Sequence, residues 1–521
     1  MNPILKLLLF PLAIIAAIAA GSIFAELKYL YFTLFLKHYY SNFLLYESKY
    51  SIDAQTVSWF TFAVNASALV GYVPSKFYRK FGPKKTILIG GALITIAHVV
   101  AAIVLQLELS KNVATVLLFI IGVLGGQGAC IVFLTALGAT LKMHSIVSTS
   151  LVNGIMFTYF LGSDTFHQAL KYGIFTNFTL QQFLLVVAVL GALVYIACAI
   201  FFQKKAQKES SSKSLAKGMA LKKTVSLYAA VLAAFLIMSV LLLISYQLNS
   251  YWGSRVLVVI LAVNLLVPVI SLSMVDQKNL SSMFSKPSET DKFLSSRGKN
   301  CSFKDARKKQ EFWLFIFTFG IIIGIARMVD ENATYIALYN SSNVEKNQRS
   351  FQIFEIVGSF TTGVILSLFR IHVSPYALLL MNTVLLIASQ VLMFFVNISS
   401  AALFISVVLV AFISGSSFVL AGQVAHEDYG EKHFGKILGI FMTAGAFGLL
   451  IFDQLIFDQL YYWFSTQDGV SSYKSYGKWS NAIFMVTIVS SGLAFIMALG
   501  AYLKTRKSDG NKDKIAEFVK F

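Results

Sequence analysis

Apolar stretches long enough to span a bilayer alternate with short polar breaks along nearly the whole chain. They fall near 4–36, 54–74, 85–107, 113–141, 147–170 and 180–202, then near 224–246 and 252–273. A last series lies near 312–330, 349–370, 374–397, 399–425, 434–463 and 480–504. A bilayer core takes about 20 apolar residues per helix, so the pattern predicts an all-α polytopic membrane protein with about fourteen spans, arranged six, two, six. Two longer polar stretches punctuate the series: QKKAQKESSSKSLAKGMALKK at 203–223, and a Ser-, Lys- and Asp-rich segment near 274–311. The expected organisation is an N-terminal six-helix half (1–202), a central region with two additional helices and basic loops (203–311), a C-terminal six-helix half (312–504) and a charged tail (505–521).

The charges test this count. With the N-terminus inside, the inner breaks hold Lys76, Arg79, Lys80, Lys84, Lys85, Lys204, Lys205, Lys304, Arg307, Arg370, Lys432, Lys436, Lys504 and Arg506. The outer breaks hold few basic residues, chiefly Lys37, Lys49, Lys111, Lys171, Lys346 and Arg349. Each basic residue near the inner surface is worth about 1 kcal/mol, so the summed bias fixes the orientation. Dropping one of the two central spans would invert the second half and spoil the asymmetry.

Composition agrees. The chain is 57% hydrophobic and 13% charged, too little charge to cover a soluble protein of 521 residues. A net charge of +19 would suggest nucleic acid in a soluble chain, but here the basic residues sit in short loops and meet anionic lipid. Cys130, Cys198 and Cys301 are too scattered for a disulfide framework or a metal site. Lys6 followed by LLLFPLAIIAAIAAG resembles a signal peptide, but the apolar character continues through 29–36, so it is read as a retained first helix. No Walker A, GxSxG or Cys/His catalytic pattern occurs, and no enzyme activity, cofactor or nucleic acid is expected. His426–His433 (HEDYGEKH) lacks zinc-ligand spacing, so no metal is expected there.

Glycines cluster at Gly122, Gly125, Gly126 and Gly128, and again at Gly435, Gly439, Gly445 and Gly448; small residues at such spacing let helix backbones approach closely. A charge in mid-span costs about 2.5–3.5 kcal/mol on insertion scales, so each buried one needs a reason. Glu26, Lys28, Arg327, Asp330, Glu355 and Asp453 are such charges, and Arg327 and Asp330 stand one helical turn apart, where they can pair. His98, Gln127 and Asn153 are neutral polar residues expected to be satisfied between helices.

Three motifs, FGPKK at 81–85, GIARMVDENATYI at 324–336 and EDYGEKHFGKILGIFMTAGAFG at 427–448, together resemble the major facilitator superfamily, and within it the nodulin-like branch related to monocarboxylate-type transporters. The basic break at 75–85, with Phe81-Gly82-Pro83-Lys84-Lys85, resembles the signature between the second and third helices. GIARMVDENATYI at 324–336 resembles a Gly-rich helix ending in Asn, here Asn332. EDYGEKHFGKILGIFMTAGAFG at 427–448 is similar to the opening of the fifth helix of the second half, with Glu427, Gly430, Lys432, His433, Phe434 and Gly435 in the motif. The resemblance implies two six-helix halves with two helices between them, alternating access without ATP, and a cavity lined by spans one and four of each half. That lining favours Glu26, Gln127 and Arg327, with Lys28 and Glu355 as further candidate solute contacts. It also implies gate residues that differ here: Arg79 stands in the acid's place and Ser75 in the leading glycine's, while in the second half Gly358-Ser359 stands where Gly-Arg is expected and Ser367 at the acid position.

Two functions follow. The first is a secondary transporter of a small organic solute, a carboxylate or amino-acid-like molecule, with Arg327 and Lys28 drawing an anionic group and Glu26 or Glu355 coupling a proton. The second is a non-transporting subunit of a larger membrane assembly, such as a respiratory complex, which the lost gate charges favour. Its partners would be other membrane-protein subunits as well as lipid. A plasma, vacuolar or mitochondrial inner membrane is compatible with the pattern.

Overall fold

The computed structural model describes residues 12–24, 54–104, 106–107, 110–141, 146–175, 177–202, 301, 303–339, 344–369, 373–395, 400–430, 433–460 and 476–518. Glu26, Lys28, Lys432 and the two expected central spans lie outside these residues. Among the described residues, nine helices are long and apolar enough to cross a membrane, and Leu12–Phe24 and Thr149–Leu161 are shorter apolar helices.

The chain divides into two compact units, Met1–Arg297 and Gly298–Phe521. The first contains α1 (Leu12–Phe24), α2 (Ala54–Leu69), α3 (Tyr72–Val104), α4 (Lys111–Leu141), α5 (Ile146–Leu161), α6 (Ser163–Gly173) and α7 (Leu180–Phe201). The second contains a short α8 (Phe303–Ala306), then α9 (Gln310–Tyr339), α10 (Val344–Leu368), α11 (Pro375–Phe394), α12 (Ser400–Glu427), α13 (Phe434–Leu449) and α14 (Tyr476–Phe518). Local signals set several starts. Thr179 and Gln182 form a reciprocal capping box at α7, and Ser374 caps α11 with Pro375 at its first position.

The two units repeat one packing scheme. In the first, α4 carries both α2 and α3, and α3 also packs on α7. In the second, α12 carries both α10 and α11, and α11 also packs on α14. The first and fifth spans also pair in each: α1 meets the α5–α6 junction at Gly21 and Ser163, and α9 lies on α13. The expected pair of six-span halves is therefore visible as a repeated set of neighbours.

Three expected boundaries differ. The basic segment at 75–85 is helical, not a loop: α3 begins at Tyr72 and bends at Gly82, whose φ of 75° suits only glycine. Pro83 then opens the second part, and Thr86 Oγ1 donates to the freed Gly82 carbonyl at 2.7 Å. Ser75, Gly82 and Pro83 are buried, while Arg79, Lys80, Lys84 and Lys85 are exposed. The span expected at 147–170 is broken at Gly162 into α5 and α6.

The third difference is a π-helix, Leu450–Asp458, that continues α13. The sequence there repeats a pentad, IFDQL-IFDQL, at 451–460. Five residues carry a side chain about 140° away around an α-helix, but i and i+5 lie close together in a π-helix. The π form thus buries Phe452 and Asp453 together with Phe457 and Asp458, while Ile451 and Leu455 stay exposed. The pentad accounts for the helix type.

The glycine clusters serve helix contact. A Cβ on Gly126 would overlap Ser67 and the Val64 carbonyl of α2, and one on Gly448 would overlap the Gly320 carbonyl of α9. Gly435, by contrast, has open space beside it. We predict that G448A destabilises the protein by about 1–3 kcal/mol through overpacking. G435A should hold or gain about 0.5–1 kcal/mol, since alanine suits a helix better. Unfolding in mixed detergent micelles reads both; equal stability of the two variants would contradict the close crossing.

Candidate functional site

The charged residues of the second unit converge on one crossing. Helices α10 and α12 touch backbone to backbone there: a Cβ on Gly415 would overlap the Glu355 carbonyl, and one on Gly358 the Phe412 carbonyl. That approach puts Glu355 beside Ser414, whose Oγ donates to Glu355 Oε1 at 2.6 Å. From α9, Arg327 Nη2 donates to the same Oε1 at 2.5 Å, and Nη1 donates to Asp330 Oδ2 at 3.2 Å. The three charged side chains are 13%, 10% and 5% exposed for Arg327, Asp330 and Glu355. The guanidinium carbon also lies 5.8 Å from the centre of the Phe418 ring, a cation–π contact.

Each charge thus has its reason. One cation faces two carboxylates, and Glu331 adds to the negative field around the guanidinium. Arg327 is the residue for this place, because its planar fork serves two carboxylates at once and stays charged when buried.

Two polar sets adjoin the crossing. Thr362 Oγ1 donates to Ser416 Oγ at 2.7 Å, and Asn382 Nδ2 donates to Ser416 and Ser417 at 2.9 and 3.2 Å, which ties α10, α11 and α12 together. Asn332 Nδ2 donates to Asp453 Oδ1 at 2.7 Å, and Gln454 Nε2 to Asp453 Oδ2 at 2.8 Å, which ties α9 to the π-helix. Asn332 is the residue singled out by the 324–336 resemblance.

The other sequence candidates are placed elsewhere. Gln127 Nε2 donates to the Ser67 carbonyl and, at 3.2 Å, to the Val70 carbonyl, so it satisfies the C-terminal end of α2. His98 is buried with Nδ1 on the Ile94 carbonyl at 2.7 Å and Nε2 3.4 Å from Ser22 Oγ. The motif at 427–435 is a brace between elements. Glu427 accepts from Gln423 at 2.6 Å, Asp428 accepts from Tyr376 at 2.7 Å, and the Cys301 N–H donates to the Tyr429 carbonyl at 3.2 Å. Gly430 turns the chain with φ 81°, His433 precedes α13, Phe434 is buried against the His426 ring, and Lys436 lies 4.4 Å from the Phe303 ring centre. Burial pushes the Tyr429 hydroxyl and the Cys301 thiol above their ordinary pKa values, so both stay protonated in this brace. Among the described residues, no group of three or more His, Cys, Asp or Glu is placed to hold a metal ion.

Sequence reasoning missed Ser414 and Phe418. The signal was present in SGSSF at 414–418, a run of small hydroxyl residues inside an otherwise apolar span.

The sequence profile of the Major Facilitator Superfamily matches residues 9–452. The chain belongs to that superfamily. Among solved structures, it resembles the proton:xylose symporter XylE bound to 6-bromo-6-deoxy-D-glucose, with 9% identity, 93% of this chain and 94% of that one covered, and a TM-score of 0.53. It also resembles the human organic anion transporter MFSD10 (TETRAN), with 12% identity, 96% and 100% covered, and a TM-score of 0.53. At these identities the likeness is one of fold. No curated protein matches the chain in sequence. This major facilitator chain is a polytopic integral membrane protein, as its hydropathy predicts.

The crossing makes a stability prediction. R327M strands two carboxylates in a buried place and should cost about 3–5 kcal/mol. E355Q leaves Arg327 on Asp330 and should cost less, about 1–3 kcal/mol. Unfolding in mixed micelles would show the order; R327M as stable as the parent would mean that the guanidinium does not hold the helices.

Proposed function

We propose that the chain is a secondary transporter of a small organic solute, a carboxylate or amino-acid-like molecule, working by alternating access between its two repeated halves. The observation that carries this reading is Arg327, a guanidinium held in a membrane-spanning helix against Glu355 of the next span. A solute carboxylate that takes Glu355's place on Arg327 Nη2 releases Glu355, which then needs a proton or another cation. Exchange of partners on one cation is a way to link solute occupancy to helix positions, because Arg327 and Glu355 sit on different helices. Superfamily membership supports transport as the general activity.

Within the superfamily we read the chain as a member of the nodulin-like branch with altered gate positions. Of the candidate solute contacts, we assign this role to Arg327 and Glu355, and a structural role to Gln127. The exposed Arg79, in place of a gate acid, favours a second reading, a non-transporting subunit of a membrane assembly. Native electrophoresis after gentle solubilisation separates the two, since a subunit migrates with its partners and a free transporter alone or with copies of itself.

The test is uptake by proteoliposomes supplied with mixed radiolabelled amino acids and monocarboxylates. The parent should accumulate label, and R327K, which keeps charge but loses the fork, should fall at least about tenfold. Uptake by R327K and E355Q equal to the parent would sink the residue assignment.

A further inference from the structure

We infer that the solute is a zwitterion, carrying a carboxylate and an ammonium on neighbouring atoms, and that Glu355 takes the ammonium. This rests on the transport reading above and narrows it.

The charge balance at the crossing points this way. Arg327 already faces Asp330 and Glu355, with Glu331 adding to the negative field, so the cluster carries no spare positive charge. A solute anion entering alone would take Arg327 from Glu355 and leave that carboxylate, 5% exposed, without its cation. A solute cation entering alone would find the guanidinium already on Glu355, and to take that carboxylate it would have to displace Arg327 onto Asp330 with nothing in Glu355's place. A zwitterion leaves the sum unchanged. Its carboxylate replaces Glu355 on Arg327, and its ammonium replaces Arg327 on Glu355.

Geometry agrees with charge. The Arg327 donor and the Glu355 acceptor are in direct contact at 2.5 Å, so two solute groups borne on one carbon would meet both partners together. Glu355 Oε1 also receives the Ser414 hydroxyl at 2.6 Å, so the carboxylate keeps one orienting donor when Arg327 leaves it.

The experiment is exchange by the full-length protein in liposomes, with three labelled panels: neutral amino acids, monocarboxylates (acetate, lactate, pyruvate) and alkylamines. The parent should exchange the amino acids at least about tenfold faster than either other panel. E355Q should lose amino acid exchange and narrow the ratio to monocarboxylates at least tenfold, while E355D should restore the parent's preference. E355D also guards against misfolding as the cause, as does a monodisperse elution of E355Q. Faster exchange of monocarboxylates or alkylamines by the parent, or an unchanged ratio in E355Q, would overturn the zwitterion assignment and leave transport standing. No exchange of any panel would instead reject the transport reading, and this assignment with it.

Discussion

A guanidinium inside a helical membrane unit has to be neutralised by its neighbours, because lipid supplies no water to do it. Arg327 meets this constraint with two carboxylates, one on its own helix and one on the next. The second contact is the one the rest of the unit is arranged around. It needs α10 and α12 to touch at Gly358 and Gly415, so that Ser414 can complete the Glu355 carboxylate. It also needs α9 to keep its rotation, which the Gly320, Gly324 and Gly448 contacts and the Asn332–Asp453 bond secure. Helix packing and charge neutralisation are therefore one design: small residues bring backbones close, and closeness lets short polar side chains finish the charge network.

The first unit repeats the neighbours. Gly126 lets α4 lie on α2, much as Gly415 lets α12 lie on α10. At that place the first unit uses Gln127 on backbone carbonyls, a neutral contact that closes the end of α2. The ion pairs of Arg327 with Asp330 and Glu355 lie in the second unit, so the exchange of ionic partners proposed above belongs to that unit.

Much of this was legible in the sequence, for reasons that differ by residue. Span positions follow from hydropathy, since a bilayer fixes both length and polarity, and Arg327–Asp330 follows from helical spacing. The Arg327–Glu355 contact is not readable, because 28 residues separate the partners and only the α9–α10–α12 packing joins them. The basic segment at 75–85 reads as a loop by charge, yet it is helical on both sides of Gly82, because its lysines and arginine are exposed and cost nothing there. The π-helix was written plainly in IFDQL-IFDQL, but a pentad is invisible to a search for periods of 3.6 and 2. Sites at 26 and 28 lie outside the described residues, and the gate reading rests on family resemblance.

The most direct measurement is a double-mutant cycle between Arg327 and Glu355, using R327M, E355Q and the pair, with unfolding in mixed micelles as the readout. If the two side chains neutralise each other across helices, the coupling free energy should reach about 2 kcal/mol. Additive effects, within about 0.5 kcal/mol, would show that they act independently and would contradict the account.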